Sequence, residues 1–278
     1  MAEAFLGSAP RNDPGWGERR VRPLSTPRLR VWVDFDGTLV GPNVAILLVQ
    51  EFVPDGRRVA EEVDQLLHRG EIGLREAWER EVALLPLDRM PEMTRFVRER
   101  VPLRTGAREF LDLARAYRLD VRILSGGLEF FIREVLDRER LDLPILSERL
   151  EILPTGGARV LYPYGHPTCR QCGICKAAFS IGHVEEERTI LIADGSTDRY
   201  GAEVADIVFA RRRLLDLCRE AGIPHFPFED FGPVTAQFRR WLVDREGFPP
   251  RRRRGLAASA CPISRDVAGR DLAVPVRP

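Results

Sequence analysis

The segment RVWVDFDGT, residues 30–38, constrains the fold more than any other stretch of the chain. Its Val-Trp-Val run leaves no polar face, so it reads as a strand buried on both sides. Such strands belong to parallel sheets covered by helices. The strand ends in Asp34 and Asp36, and an extended chain directs residues two apart to the same side. Two like charges crowded where burial already penalises them need a cation close by.

Further apolar runs repeat the pattern. DVRILSGG (120–127), TILIADGSTD (189–198) and DIVFA (206–210) read as strands. Between them TGAREFLDLARAY (105–117), LEFFIREVLDRE (128–139) and RLLDLCREAG (213–222) carry helical periodicity, the last closing on Gly222. Strands alternating with helices predict an α/β fold, a Rossmann-like parallel sheet with helices on both faces. Two insertions interrupt it. Residues 41–103 are mostly helical, as in REAWEREVALL (75–85), and are expected to form a small cap. RLEILPTGGARVLYP (149–163) reads as a β-hairpin turning at Gly156-Gly157 on the rim. The expected division is a flexible leader over 1–27, a core from 28–40 and 104–247, the cap over 41–103, and a basic tail over 248–278. That tail contains PPRRRRG and is expected to be solvated.

Composition limits the partners. Net charge is +1, with 44% apolar and 31% charged residues, so no global field favours nucleic acid or an anionic membrane. No run approaches the roughly 20 apolar residues that cross a bilayer, and the first residues lack a signal-like apolar core. Five cysteines, three of them crowded together, do not resemble a disulfide framework. A cytoplasmic protein is expected, with a small molecule as partner and an oligomeric state that the sequence leaves open.

Ligands of parallel α/β sheets bind outside the carboxyl ends of the strands, and the chemically distinctive residues fall there. Asp34 and Asp36 leave the first strand. Ser125, followed by Gly126 and Gly127, leaves the second, and Asp194 and Asp198 leave the third. Between the second and third lies Lys176, the single lysine among 43 basic residues. Taken alone, Asp194 reads equally well as a helix cap, and Ser125 as part of an ordinary turn. All the pieces in this order, each at a strand end, make coincidence a poor account.

DFDGT, then SGG, then Lys176, then DGSTD resembles the haloacid dehalogenase superfamily of phosphatases. Helices inserted after the first motif resemble its phosphoserine-phosphatase-like branch, with a C1-type cap. HPTCRQCGICK and FARRRLLDLCREAGIPHFPFEDF are similar to a methionine-salvage branch acting on 2-hydroxy-3-keto-5-methylthiopentenyl 1-phosphate. The resemblance covers about residues 30–243. It implies Asp34 as nucleophile and Asp36 as general acid and base. Ser125, Gly126 and Lys176 would hold the phosphoryl group, and Mg²⁺ would sit on Asp34, the backbone carbonyl of Asp36, and Asp194. Asp198 would support the site. The implied substrate is a small phosphorylated metabolite. Phosphoserine is disfavoured, because Asn43 stands where that family carries an acid to meet the substrate ammonium. A binding protein without turnover would be expected to have lost one of these residues.

Other residues leave alternatives open. Arg80 in the cap either faces a substrate oxygen or is a solvated helix arginine. His166, Cys169, Cys172 and Cys175 form a set for structural Zn²⁺, free thiols facing substrate, or a redox-sensitive pair. Three thiols and a histidine within ten residues strain a tetrahedron, since zinc sites usually draw ligands from separated segments. His183, Cys218 and His225 read as packing or surface residues.

Overall fold

The computed structural model describes residues 27–154, 156–181, 187–252 and 261. The expected leader therefore lies almost wholly outside the described residues, as do His183 and most of the tail.

The chain enters as β1 (Arg28–Val33) and passes through an irregular turn over 35–39 into four helices, α1 (Val44–Phe52), α2 (Gly56–His68), α3 (Leu74–Val82) and α4 (Met90–Arg100). Then follow α5 (Ala107–Ala116), β2 (Asp120–Leu128), α6 (Glu129–Arg138), β3 (Ile145–Ile152) and β4 (Ala158–Leu161). The last part holds α7 (Lys176–Ser180), β5 (Glu187–Ala193), α8 (Arg199–Val204), β6 (Ile207–Ala210), α9 (Arg212–Glu220), β7 (Phe226–Pro227) and α10 (Phe231–Leu242). The strands form one sheet in the order β4-β3-β2-β1-β5-β6-β7, parallel except for the β3–β4 pair.

Alternation along the strands sorts the core into two layers. Val31, Val33, Ile123, Ile192 and Phe209 face α5, α6 and α10, where Phe110, Phe131 and Phe238 pack on them. Trp32, Leu191, Ala193 and Val208 face the other way, onto Phe179 of α7, Ala202 of α8 and Leu214 and Cys218 of α9. β1 lies at the centre, paired with β2 on one side and β5 on the other. That placement explains why its sequence is apolar on both faces.

The helical insertion leaves and rejoins the core at a single antiparallel bridge between Val40 and Leu103. Asn43 starts α1 by accepting from the Ile46 amide at 3.2 Å. The insertion rests on the core through Trp78, whose Nε1 donates to the Gly126 carbonyl at 2.8 Å, and through Arg98 on Glu134 at 3.1 Å.

Three differences from the sequence reading have local causes. The 189–198 stretch is strand only to Ala193, and residues 196–198 coil tightly into α8. The 149–163 hairpin lies on the sheet's rim as expected, but its first strand begins earlier, at Ile145, where β3 pairs in parallel with β2 before folding back on β4. The tail does not begin in solvent. Phe248 packs 5.4 Å from the Trp241 ring, Arg252 binds the Ala202, Glu203 and Ala205 carbonyls, and Cys261 is buried. Arginine here satisfies carbonyls left open around the end of α8, which a count of basic residues cannot reveal. No helix among the described residues is long and apolar enough to cross a membrane.

Phe238 is fully buried, 5.1 Å from the Phe110 ring and 5.9 Å from that of Phe209. Phe238→Ala is expected to lower stability by about 3–5 kcal/mol, read as a fall in the urea midpoint. An unchanged midpoint would contradict this packing.

Candidate active site

Lys176 opens α7 and is 3% exposed. Its Nζ donates to Asp34 Oδ1 at 2.7 Å and to Asp198 Oδ1 at 2.5 Å. Burial works against its charge, but Asp198 and Asp34 together hold its pKa above the ordinary lysine value. Burial pushes the Asp34 carboxyl well up, Lys176 pulls it down, and Asp198 and Asp194 push it up again. Asp194 is raised to about 6, first by burial and then by Asp198, against Arg211 and Arg212. The cluster thus holds more negative charge than its cations balance.

The turn after β1 shapes this cluster. Gly37 has φ +71°, and a side chain there would run into the Asp194 carboxylate. Its carbonyl accepts from Arg104 at 2.6 Å and also from Arg211. Arg104 further donates to the Thr38 carbonyl at 2.8 Å, and the Thr38 hydroxyl donates to Asp194 at 3.3 Å. Sequence reasoning missed both arginines, because Arg104 stands outside every motif and nothing marks Arg211 among the three arginines of FARRR beyond its place directly after the fourth strand.

Asp36 accepts from the Val44 amide at the start of α1 at 2.7 Å. Burial raises its pKa to about 7, the Val44 bond opposes this, and Asp194 adds to it. A Cβ on Gly127 would stand 2.6 Å from Asp36 Oδ2, so only glycine leaves this carboxyl its place. Ser125 is fully buried, and its Oγ accepts from the Gly127 amide at 3.0 Å, which leaves the hydroxyl proton free to donate elsewhere. The structure therefore brings Asp34, Asp36, Ser125, Gly126, Asp194 and Asp198 to one cleft, with Lys176 beneath its floor.

The donor set fits a hard divalent cation. Asp34, Asp194 and Asp198 each offer a carboxylate oxygen, and these lie within 4.8 Å of one another. Asp198 already spends one oxygen on Lys176 and the other on the Gly195 amide at 3.0 Å. Asp34 and Asp194 both line the cleft directly and keep lone pairs for an ion beside their hydrogen bonds.

The cap supplies the opposite wall, with Ile46, Val63, Leu67, Leu74, Ala77 and Trp78 giving an apolar surface beside the Asp64–His68 pair; neither Arg nor Lys lines it. Arg80 lies apart, donating to Glu76 on its own helix at 2.7 Å. Its neighbour Glu81 turns inward and lines the cleft. Burial pushes the Glu81 carboxyl up to about 8, with Asp64 and Asp36 adding to the effect. The signal was present in the sequence: Glu81 lies four residues after Ala77 and three after Trp78, on the apolar stripe of α3.

A second, smaller cavity lies on the other side of Lys176. His166, Cys169, Cys172 and Cys175 line it together with Thr197, Tyr200 and Cys261. Cys218 belongs to the core beside α9, and His225 donates from Nδ1 to the Ile223 carbonyl at 2.7 Å.

Comparison with known proteins agrees with this geometry. A model of the haloacid dehalogenase-like hydrolase family matches residues 31–203. A 2-hydroxy-3-keto-5-methylthiopentenyl-1-phosphate phosphatase from Bacillus mycoides is 27% identical over 223 residues, covering 77% of this chain and 97% of the relative. One of the same description from an Exiguobacterium species is 30% identical over 209 residues, covering 74% and 95%. Among solved structures, a phosphoserine phosphatase with a phospho-aspartyl intermediate analogue superposes with TM-score 0.57 at 16% identity, covering 77% of this chain and 99% of that one.

Glu148, on β3 beside the site, is 1% exposed, and neither carboxyl oxygen has a hydrogen-bond partner among the described residues. Burial pushes its pKa from an ordinary 4.5 to about 9, against Arg75 and Lys176. The folded chain then holds one more proton than the unfolded chain between those values, so this group's contribution to stability falls as pH rises through that window. Glu148→Gln is expected to gain stability relative to the parent between pH 5.5 and 8.5, measured by urea unfolding. An identical pH dependence in both proteins would exclude a neutral Glu148.

Proposed function

The chain belongs to the haloacid dehalogenase-like hydrolase family and is a phosphatase; on that premise we propose that it is an Mg²⁺-dependent phosphomonoesterase working through an aspartyl-phosphate. Its proposed substrate is 2-hydroxy-3-keto-5-methylthiopentenyl 1-phosphate. The observation that carries the reaction is the buried Asp34–Lys176–Asp198 bridge beneath the cleft.

Lys176 occupies Asp34 Oδ1, which leaves Oδ2 to attack phosphorus. As the new O–P bond forms, the ester O–P bond breaks, and Asp36 gives its proton to the leaving oxygen. Its raised pKa keeps that proton available near neutrality. Asp36, now ionised, takes a proton from water. The resulting hydroxide attacks the phosphoryl group, freeing phosphate and restoring Asp34. The Ser125 hydroxyl and the Gly126 amide would hold the phosphoryl oxygens. Lys176 supplies a compact ammonium that holds the nucleophile from beneath the cleft, between Asp34 and Asp198, where a planar guanidinium would not fit the same space. Asp34, Asp194 and the Asp36 carbonyl would hold Mg²⁺, which supplies positive charge against the phosphate.

The substrate assignment is supported by the cap wall and by the relatives' descriptions. An apolar surface suits a methylthio tail, and a protonated Glu81 can donate to a keto or hydroxyl oxygen. Neither Arg nor Lys lines that wall to meet the carboxylate of phosphoserine, Asn43 stands in place of an acid, and Asp64 is already paired with His68.

Screening phosphorylated metabolites with Mg²⁺ should give phosphate release, fastest with the methylthiopentenyl ester, and EDTA should abolish it. Asp34→Asn is expected to be inactive. Lys176→Arg should lose about 10²-fold or more in kcat, despite conserving charge. Release unaffected by EDTA, or by Lys176→Arg, would overturn the mechanism. Faster turnover of phosphoserine would overturn the substrate. Glu81→Leu is expected to raise KM more than it lowers kcat, and Glu81→Gln to restore most of the affinity. Equal kinetics for the two variants would remove Glu81 from substrate recognition.

A further inference from the structure

The cavity behind Lys176 gathers four of the chain's five cysteines. Three come from one loop at two-residue gaps, Cys169, Cys172 and Cys175. The fourth, Cys261, arrives from the carboxyl-terminal segment and is buried against them. The separated segment that a thiolate site ordinarily requires, and that the loop by itself lacks, is therefore present.

His166 completes the wall in a different role. Its Nδ1 accepts from the Thr168 amide at 3.3 Å, which places the neutral ring's proton on Nε2. That Nε2 is buried with no hydrogen-bond partner among the described residues, and the ring borders the cysteine cavity. It is thus set to donate an N–H to sulfur, leaving the four thiols as the ligand set. Arg75, whose Nη2 holds the His166 carbonyl at 2.8 Å, has a buried Nε likewise without a partner. Together with Lys176 it provides positive charge next to a site that would carry net negative charge.

We propose that Cys169, Cys172, Cys175 and Cys261 bind a metal centre, an iron–sulfur cluster of the [4Fe–4S] type. The pattern C-x2-C-x2-C, completed by a distant Cys-Pro at 261–262, is the ligand spacing used for such clusters and selects one over a single ion. On binding, each thiol gives up its proton and coordinates one iron as thiolate.

The centre would be structural. The loop it ties down touches the cap, where the Leu74 amide donates to the Gln171 carbonyl at 2.8 Å and Arg170 pairs with Glu79 at 2.8 Å. It also runs directly from Cys175 into Lys176. A cluster here would fasten the carboxyl-terminal segment, the cap and the helix bearing Lys176 at one point.

The test is metal and acid-labile sulfide analysis of the full-length protein purified without oxygen, with its visible spectrum. About four iron and four sulfide per chain, with broad visible absorption, are expected. Removing them should lower Tm. Cys261→Ser and Cys172→Ser should each lose most of the iron and the absorption, whereas Cys218→Ser, outside the cavity, should keep both. One zinc per chain without sulfide would overturn the cluster. The absence of iron, sulfide and zinc from the parent protein would overturn the site. Full iron and sulfide in Cys261→Ser would overturn the ligand assignment.

Discussion

Lys176 stands between Asp34 and Asp198 where neither side of the bridge has water to replace the other. Removing one partner of a buried ion pair leaves an uncompensated charge and costs about 3–5 kcal/mol. The three residues therefore fix one another, and through them the elements that carry them. Asp34 ends β1, Asp198 follows β5, and Lys176 begins the short helix α7. Five residues of helix have little stability of their own. What holds α7 is the packing of Phe179 against Trp32, at 5.9 Å, and the charge of its first residue.

The turn over 35–39 depends on that bridge and in turn shapes the cleft. Arginine side chains from two distant places, Arg104 before α5 and Arg211 after β6, converge on the Gly37 carbonyl. They tie down a backbone that has no regular partner, and Arg211 also lies 3.4 Å from Asp194. Positive charge therefore reaches the carboxylate cluster from its rim as well as from beneath. It does not neutralise the cluster, since burial still raises Asp34, Asp36 and Asp194. A site with this imbalance is prepared for a cation and a proton, and the proposed reaction uses both.

The cap contributes mainly apolar surface and a single buried acid, so in the proposed reaction recognition and chemistry come from opposite walls. The cysteine loop is where cap, core and carboxyl-terminal segment meet. Its four thiols, with the histidine ring bordering them, form the proposed second centre, whose effect on turnover would pass through the position of Lys176.

Much of the fold was legible in the sequence, because strands buried on both faces and helices at a 3.6-residue period leave local signatures. The strand-ending Asp34, Ser125 and Asp194 were equally legible, since an open α/β sheet places its ligands at those ends. The solitary lysine was legible because its residue type was exceptional. α7, α8 and α10 were not foreseen. Two of them are very short, and α10 carries a Pro in its first turn, which interrupts the pattern. Arg80 was singled out from α3 where Glu81 faces the cleft, and one residue's step turns a helix side chain by about 100°. Arg104, Arg211, Glu148 and Cys261 acquire their roles from partners between 17 and 174 positions away or from burial, and no local pattern encodes such meetings. The sequence by itself determined the sheet, its chemically active ends and the charges that must meet there. Only the tertiary structure decided which remote arginines, acids and thiols share that space, because burial and proximity are properties of the packed chain and not of any segment of it.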